Sequence, residues 1–167
     1  MCSSPDGGGQ EIKPTSYGYG ELSRVITQRE FEAKLTNGDE EMATSSVVMI
    51  QCVGSRDDDH PYCSRICCSQ AIKNALELKR RSPQSEVVIL YRDIRTYGFR
   101  ESFYTEARRK GVVFLRHEDD RKPKVARDGG GLVVTVYDPQ LKRNIAIDAG
   151  LVVLSADVLA CKCIDKA

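Results

Sequence analysis

From residue 47 onward, short apolar runs alternate with amphipathic stretches. Val47 to Gln51 is apolar and partly β-branched, the signature of a strand buried on both faces. Between Ser64 and Arg81, apolar groups recur at Ile66, Ala71, Ile72, Ala75 and Leu76, the spacing of one helical face. Glu86 to Tyr91 predicts a second buried strand, residues 101 to 110 a second helix closed by Gly111, and Val112 to Leu115 a third strand. This βαβαβ order calls for a parallel sheet with right-handed crossovers.

Upstream, Thr27 and Glu30 form a T-x-x-E capping box, with Ile26 and Phe31 placed as a hydrophobic staple. That helix should run to about Leu35 and stop at Asn37-Gly38, ahead of an acidic loop. Residues 1 to 20, rich in Gly, Ser and Pro, read as an extended arm with a GYG element at Gly18 to Gly20. Downstream, Val125 to Arg127, Leu132 to Tyr137 and Asn144 to Ile147 are divided by DGGG and DPQ turns, as in an antiparallel meander. Leu151 to Leu154 then returns to the parallel sheet. The expected fold class is α/β, a Rossmann-like three-layer domain with a parallel sheet and an inserted three-strand meander. That order resembles the NAD(P)-binding domain of flavin disulfide oxidoreductases. The organisation expected is an arm and capped short helix over 1–46, the Rossmann-like domain over 47–157, and a tail over 158–167.

Composition narrows the function classes. A chain of 167 residues, 41% hydrophobic, suffices for one domain with an ordinary core. No apolar run approaches the roughly 18 to 20 residues that span a bilayer, and the N-terminus lacks a basic region followed by an apolar stretch. A cytoplasmic protein without membrane insertion is expected. With 25 basic against 24 acidic residues there is no overall field to recruit nucleic acid. Local runs, Lys79-Arg80-Arg81 and Arg108-Arg109-Lys110, close helices, where cations oppose the negative dipole end.

The candidate chemistry lies in QCVGSRDDDHPYCSRICC. Cys52 ends the first strand, and Cys63, Cys67 and Cys68 fall at the start of the following helix. In a dinucleotide-binding domain a glycine-rich turn would stand here and seat a pyrophosphate on the helix N-terminus. No G-x-G-x-x-G occurs, and the cysteines take its place. A thiolate-ligated cluster is an anion and gains from the same free N–H groups and dipole. The spacing C-x10-C-x3-C-C matches neither the C-x2-C runs of ferredoxins nor the paired knuckles of zinc ribbons. On spacing alone, an iron-sulfur cluster, a zinc ion and free thiols all remain open.

The stretch VMIQCVGSRDDDHPYCSRICCSQAIKNALELK, followed by VVILYRDIRTYGFRESFYTEARRKGVVFLR, closely resembles the A subunit of coenzyme B/coenzyme M heterodisulfide reductase. GGQEIKPTSYGYG and VITQREFEAKL look like the same family's lead-in. The resemblance implies a thioredoxin-reductase-like iron-sulfur flavoprotein, with a [4Fe-4S] cluster on Cys52, Cys63, Cys67 and Cys68. It also implies electron exchange with other redox subunits. The chain lacks the family's FAD fingerprint and ferredoxin motifs, so it reads as one module, with FAD expected only from a partner chain or a further domain. No independent catalysis is expected of it. The alternatives are a structural domain stapled by zinc at the same thiolates and an NAD(P)-binding oxidoreductase domain.

Around the cysteines, Arg56 is a candidate donor to cluster sulfides, against a surface ion pair with Asp57 or Asp58. Tyr62 is a candidate shield for one cluster face, against simple packing. Arg92, Asp93 and Arg95 follow the second strand, where a salt-bridged loop is expected rather than a ribose reader. His60 reads as a solvated loop residue, His117 as non-catalytic, and Cys2, Cys161 and Cys163 as adventitious thiols near the termini.

Overall fold

The computed structural model describes residues 10, 11, 13–39, 46–56, 58, 61–63, 66–94, 100–156, 158 and 159. The acidic loop over 40–45, the start of the arm, the helix start at Ser64, and Cys2, Asp57, His60, Arg95, Cys161 and Cys163 lie outside them.

The elements are β1 (Gln10–Glu11), β2 (Val25–Thr27), α1 (Gln28–Asn37), β3 (Val47–Val53), α2 (Cys67–Arg81), β4 (Val87–Tyr91), α3 (Arg100–Arg109), β5 (Val113–Arg116), β6 (Lys124–Asp128), β7 (Gly131–Asp138), β8 (Arg143–Ala149), β9 (Leu151–Ala156) and β10 (Val158–Leu159). A parallel sheet runs in the order β2-β9-β3-β4-β5, and β6-β7-β8 form an antiparallel meander. The expected architecture is present.

Alternation within β3 builds the three layers, because successive side chains point to opposite faces. Val47 and Met49 join Phe31, Ala71, Ala75 and Leu78 in a core shared with the helices. Val48 and Ile50 join Val134, Val136, Val152 and Leu154 in a second core under the meander. With both faces covered, β3, β4 and β9 carry the near-continuous apolar runs typical of a central parallel sheet.

The capping box is present in full: the Thr27 side chain accepts from the Glu30 N–H, and the Glu30 carboxylate accepts from the Thr27 N–H at 2.8 Å. Helix α1 ends at Gly38, whose φ of +73° is a conformation glycine reaches without a Cβ clash. Arg80 and Arg81 both bond Glu77 in α2, and Arg81 also reaches the Leu35 carbonyl of α1, so this basic run closes the helix and also ties it to its neighbour.

Three strands escape the hydrophobic pattern. Strand β2 is only three residues long and merges with the capping signal, yet it pairs with β9 as the sheet's edge. Strands β1 and β10 are two-residue pieces that pair with each other.

Candidate functional site

Strand β3 carries the first cysteine past an irregularity. Its register to β9 runs Ile50↔Leu154 and then Val53↔Ala156, so one extra residue is accommodated around Gln51 and Cys52. Cys52 itself has φ +60°. Left-handed backbone costs a residue with a Cβ roughly 1–2 kcal/mol. Tyr17 (φ +60°) and Arg56 (φ +59°) share it, so three of the four such non-glycine residues described surround this end of the sheet. Strain gathered in one place suits a site whose side chains must be held in set directions.

The other cysteines arrive from across the loop. Cys67 and Cys68 are the first two residues of α2, both buried, and the N-cap residue Ile66 offers no side-chain cap. Cys63 precedes the helix and is half-buried. Cys52 and Cys67 stand close enough to interact electrostatically; burial, and then Cys67, push the Cys52 thiol pKa up, while the neighbouring Arg56 guanidinium pulls it down. The Cys68 Sγ lies 3.8 Å from the Asp93 carbonyl. Cys52 and Cys63 are free thiols.

Arg56 also makes a 2.7 Å ion pair with Asp93, which raises its own pKa. Its charge thus sits between a carboxylate and the Cys52 thiol, and Asp93 is its ion-pair partner among the described residues, Asp57 lying outside them. Arg92 donates to the Arg56 carbonyl at 2.8 Å and pairs with Asp119, so the loop after β4 is salt-bridged as expected. Tyr62 is 42% exposed at the edge of the group.

The donor set suits an iron-sulfur cluster in kind: four thiols from one strand end and one helix approach, with a cation beside the first. Among the described residues, however, no three Cys, His, Asp or Glu converge on a common point. The arrangement brings Cys52 and Cys67 together but does not gather all four.

Polar groups buried beside this edge have no signature in the sequence pattern. Gln28 opens α1 just after β2, Gln51 follows Ile50 in β3, and Ser155 follows Leu154 in β9. The Gln28 Nε2, both Gln51 amide atoms and the Ser155 Oγ are buried without a hydrogen-bond partner. His117, just after β5, is also buried at 4% exposure, with Nδ1 3.3 Å from the Glu118 carbonyl and Nε2 unpartnered.

The chain is 41% identical to the A subunit of the H2/formate:CoB-CoM heterodisulfide, ferredoxin reductase of Methanococcus maripaludis, an alignment covering 90% of this chain and 25% of that protein. It is also 41% identical to the iron-sulfur A subunit of the CoB–CoM heterodisulfide reductase of Methanocaldococcus jannaschii, over 84% of this chain and 23% of that one. The chain is a homologue of one stretch of the heterodisulfide reductase A subunit. It spans about a quarter of the length of these proteins. No protein-family model matches it. In fold it is similar to the L-lysine 6-monooxygenase of Pseudomonas syringae, with TM-score 0.58, 12% identity and coverage of 92% of this chain and 44% of that one. The thioredoxin reductase of T. acidophilum is similar too, with TM-score 0.56, 11% identity and coverage of 90% and 42%. The A-subunit homologue therefore has the fold of a flavin-oxidoreductase nucleotide domain, with cysteines where the glycine-rich turn would stand. No described helix is long and apolar enough to cross a membrane.

Proposed function

We propose that this chain is an electron-relay module in which Cys52, Cys63, Cys67 and Cys68 hold one [4Fe-4S] cluster. It acts in the cytoplasm within a heterodisulfide-reductase-like complex. The observation that carries the reading is Cys52, set in left-handed backbone at a strand end, beside the Arg56 guanidinium and within electrostatic reach of Cys67 at the start of α2. Support comes from homology to proteins named for heterodisulfide reduction, one of them for iron-sulfur. Bound there, the cluster would take up and pass on single electrons.

The chain's own residues set the conditions. Thiolates must replace thiols at all four positions, and at Cys52 burial opposes that change while Arg56 favours it. The N-cap residue Ile66 gives α2 no side-chain cap, and the N-terminal end of a helix favours negative charge nearby. Loading would require the four sulfurs to come closer together than the described residues hold them. Other redox subunits would deliver and remove electrons, with FAD held by a partner chain or a further domain.

Anaerobic reconstitution should give a brown protein with about four irons and four labile sulfides per chain, the content of a cubane. A colourless protein holding one tightly bound zinc would replace this reading with the structural one. A Cys67→Ser variant should lose most of its iron; full occupancy would overturn the ligand assignment.

A further inference from the structure

Three loops meet at the carboxyl end of the parallel sheet, after β3, β4 and β5, and Arg92 fastens them to one another. Its side chain is only 12% exposed. Nε and Nη2 take both carboxylate oxygens of Asp119, in the loop after β5, and Nη1 donates to the Arg56 carbonyl, after β3, at 2.8 Å. All three nitrogens of the planar guanidinium are thus engaged, a pattern that a lysine ammonium cannot reproduce.

What Arg92 holds is a strained turn. Arg56 has φ +59°, a conformation unfavourable for a residue with a Cβ, so something outside the residue must select it. A charged donor makes one of the stronger hydrogen bonds available to a carbonyl, and here it orients the peptide unit that follows Arg56. In that conformation the Arg56 Nη2 lies 2.7 Å from the Asp93 carboxylate, and its guanidinium neighbours Cys52. The Asp93 carbonyl in turn lies 3.8 Å from the Cys68 Sγ. The Arg92 charge itself bears on Cys52 less than that of Arg56 does.

We propose that Arg92 is a positioning residue for the thiol site: by holding the Arg56 carbonyl it keeps Arg56 in its left-handed turn and so sets the Arg56 guanidinium between Asp93 and Cys52. Its effect on electron transfer rests on the reading of the thiols as cluster ligands, whereas the geometry of the turn does not. A cation held beside the site favours the more negative, reduced state of a group bound by the thiolates. Losing that cation lowers the potential at which an electron is taken up.

Two measurements on the full chain test it. In the reduced, metal-free protein, NMR backbone couplings at residue 56 read φ directly. It should be positive in the unsubstituted chain and in Arg56→Gln, which keeps the carbonyl, and negative in Arg92→Lys, which keeps the charge but not the fork. In the reconstituted protein, a redox titration followed by electron paramagnetic resonance should place the Arg92→Lys midpoint about 60 mV or more below that of the unsubstituted chain, a tenfold change in a one-electron equilibrium. Arg56→Gln should lower the midpoint at least as far, and adding Arg92→Lys to it should lower it no further, because Arg92 acts through Arg56. Asp119 is exposed, so Asp119→Ala keeps the fold even where Arg92→Lys does not, and it should move both readings in the same direction. A positive φ at residue 56 in Arg92→Lys, an unchanged midpoint, or shifts that add in the double variant would overturn the proposal. Failure of the cluster reading would show separately, as missing iron after reconstitution, and the couplings at residue 56 would then decide the matter.

Discussion

Cys52 is where opposing local effects meet. Burial and the nearby Cys67 disfavour its thiolate, while Arg56 supports it. In the metal-free reduced protein, alkylation of Cys52 should have a midpoint above the ordinary thiol value of about 8.5. Arg56→Gln should move that midpoint higher still, read by mass spectrometry of the labelled peptide across a pH series; an unchanged or lower midpoint would break the pairing of Arg56 with Cys52. His117 gives a second test. Burial depresses its pKa, helped by Arg92 and Lys122 and opposed by the Glu118 carbonyl. Between that depressed value and about 6.5 the unfolded chain holds a proton that the folded chain does not. Stability is therefore full above about pH 6.5 and falls as the pH drops below it. The loss of Tm between about pH 7.5 and 5.5 should be smaller in His117→Gln than in the unsubstituted protein, and equal losses would refute the assignment.

At the level of elements, α1 shows how much a local signal carries. Thr27 caps the helix and also ends β2, and its side chain is buried. Thr27→Ala should cost about 1 kcal/mol in urea unfolding, within the usual range for losing such a cap, and Thr27→Ser should recover most of it. A loss equal in both variants would assign the effect to packing in the sheet instead of the cap. The same segment explains what the sequence hides. Phe31, Leu35 and the T-x-x-E box announce the helix because capping and periodicity act within a few residues. Strand β2 is invisible because Val25 and Ile26 acquire their strand character only by pairing with Val152 and Val153, far along the chain. The meander was legible because DGGG and DPQ punctuate it. The place of Cys52 at a strand end and of Cys67 and Cys68 at a helix start was legible, but not the bulge that turns Cys52, which arises from its register with β9. The buried polar atoms of Gln28, Gln51 and Ser155 were likewise hidden, since only the fold buries them.

For the whole molecule, the decisive fact is that one strand serves both layers. Met49 and Ile50 are adjacent in β3 and both fully buried, yet Met49 packs under the helices and Ile50 under the meander. A meander that merely rested on a finished α/β unit would tolerate the loss of Ile50 locally. Here β9 follows β8 after a single residue and pairs with β3 at the centre of the sheet, so the meander is tied into the order of the parallel strands. Met49→Ala and Ile50→Ala should therefore each cost about 2–5 kcal/mol, the usual range for emptying such a core position. Each variant should also unfold in one transition with the m-value of the unsubstituted chain, because both cores disappear together. Circular dichroism and the fluorescence of Tyr137 and the other tyrosines, followed through the same urea titration, should coincide. If the Ile50→Ala curve split, with the meander lost before the helical layer, the two faces would be separate cooperative units. Cys52 lies at the carboxyl end of that shared strand, so coincident transitions also require the thiol site to lose its geometry in the same step.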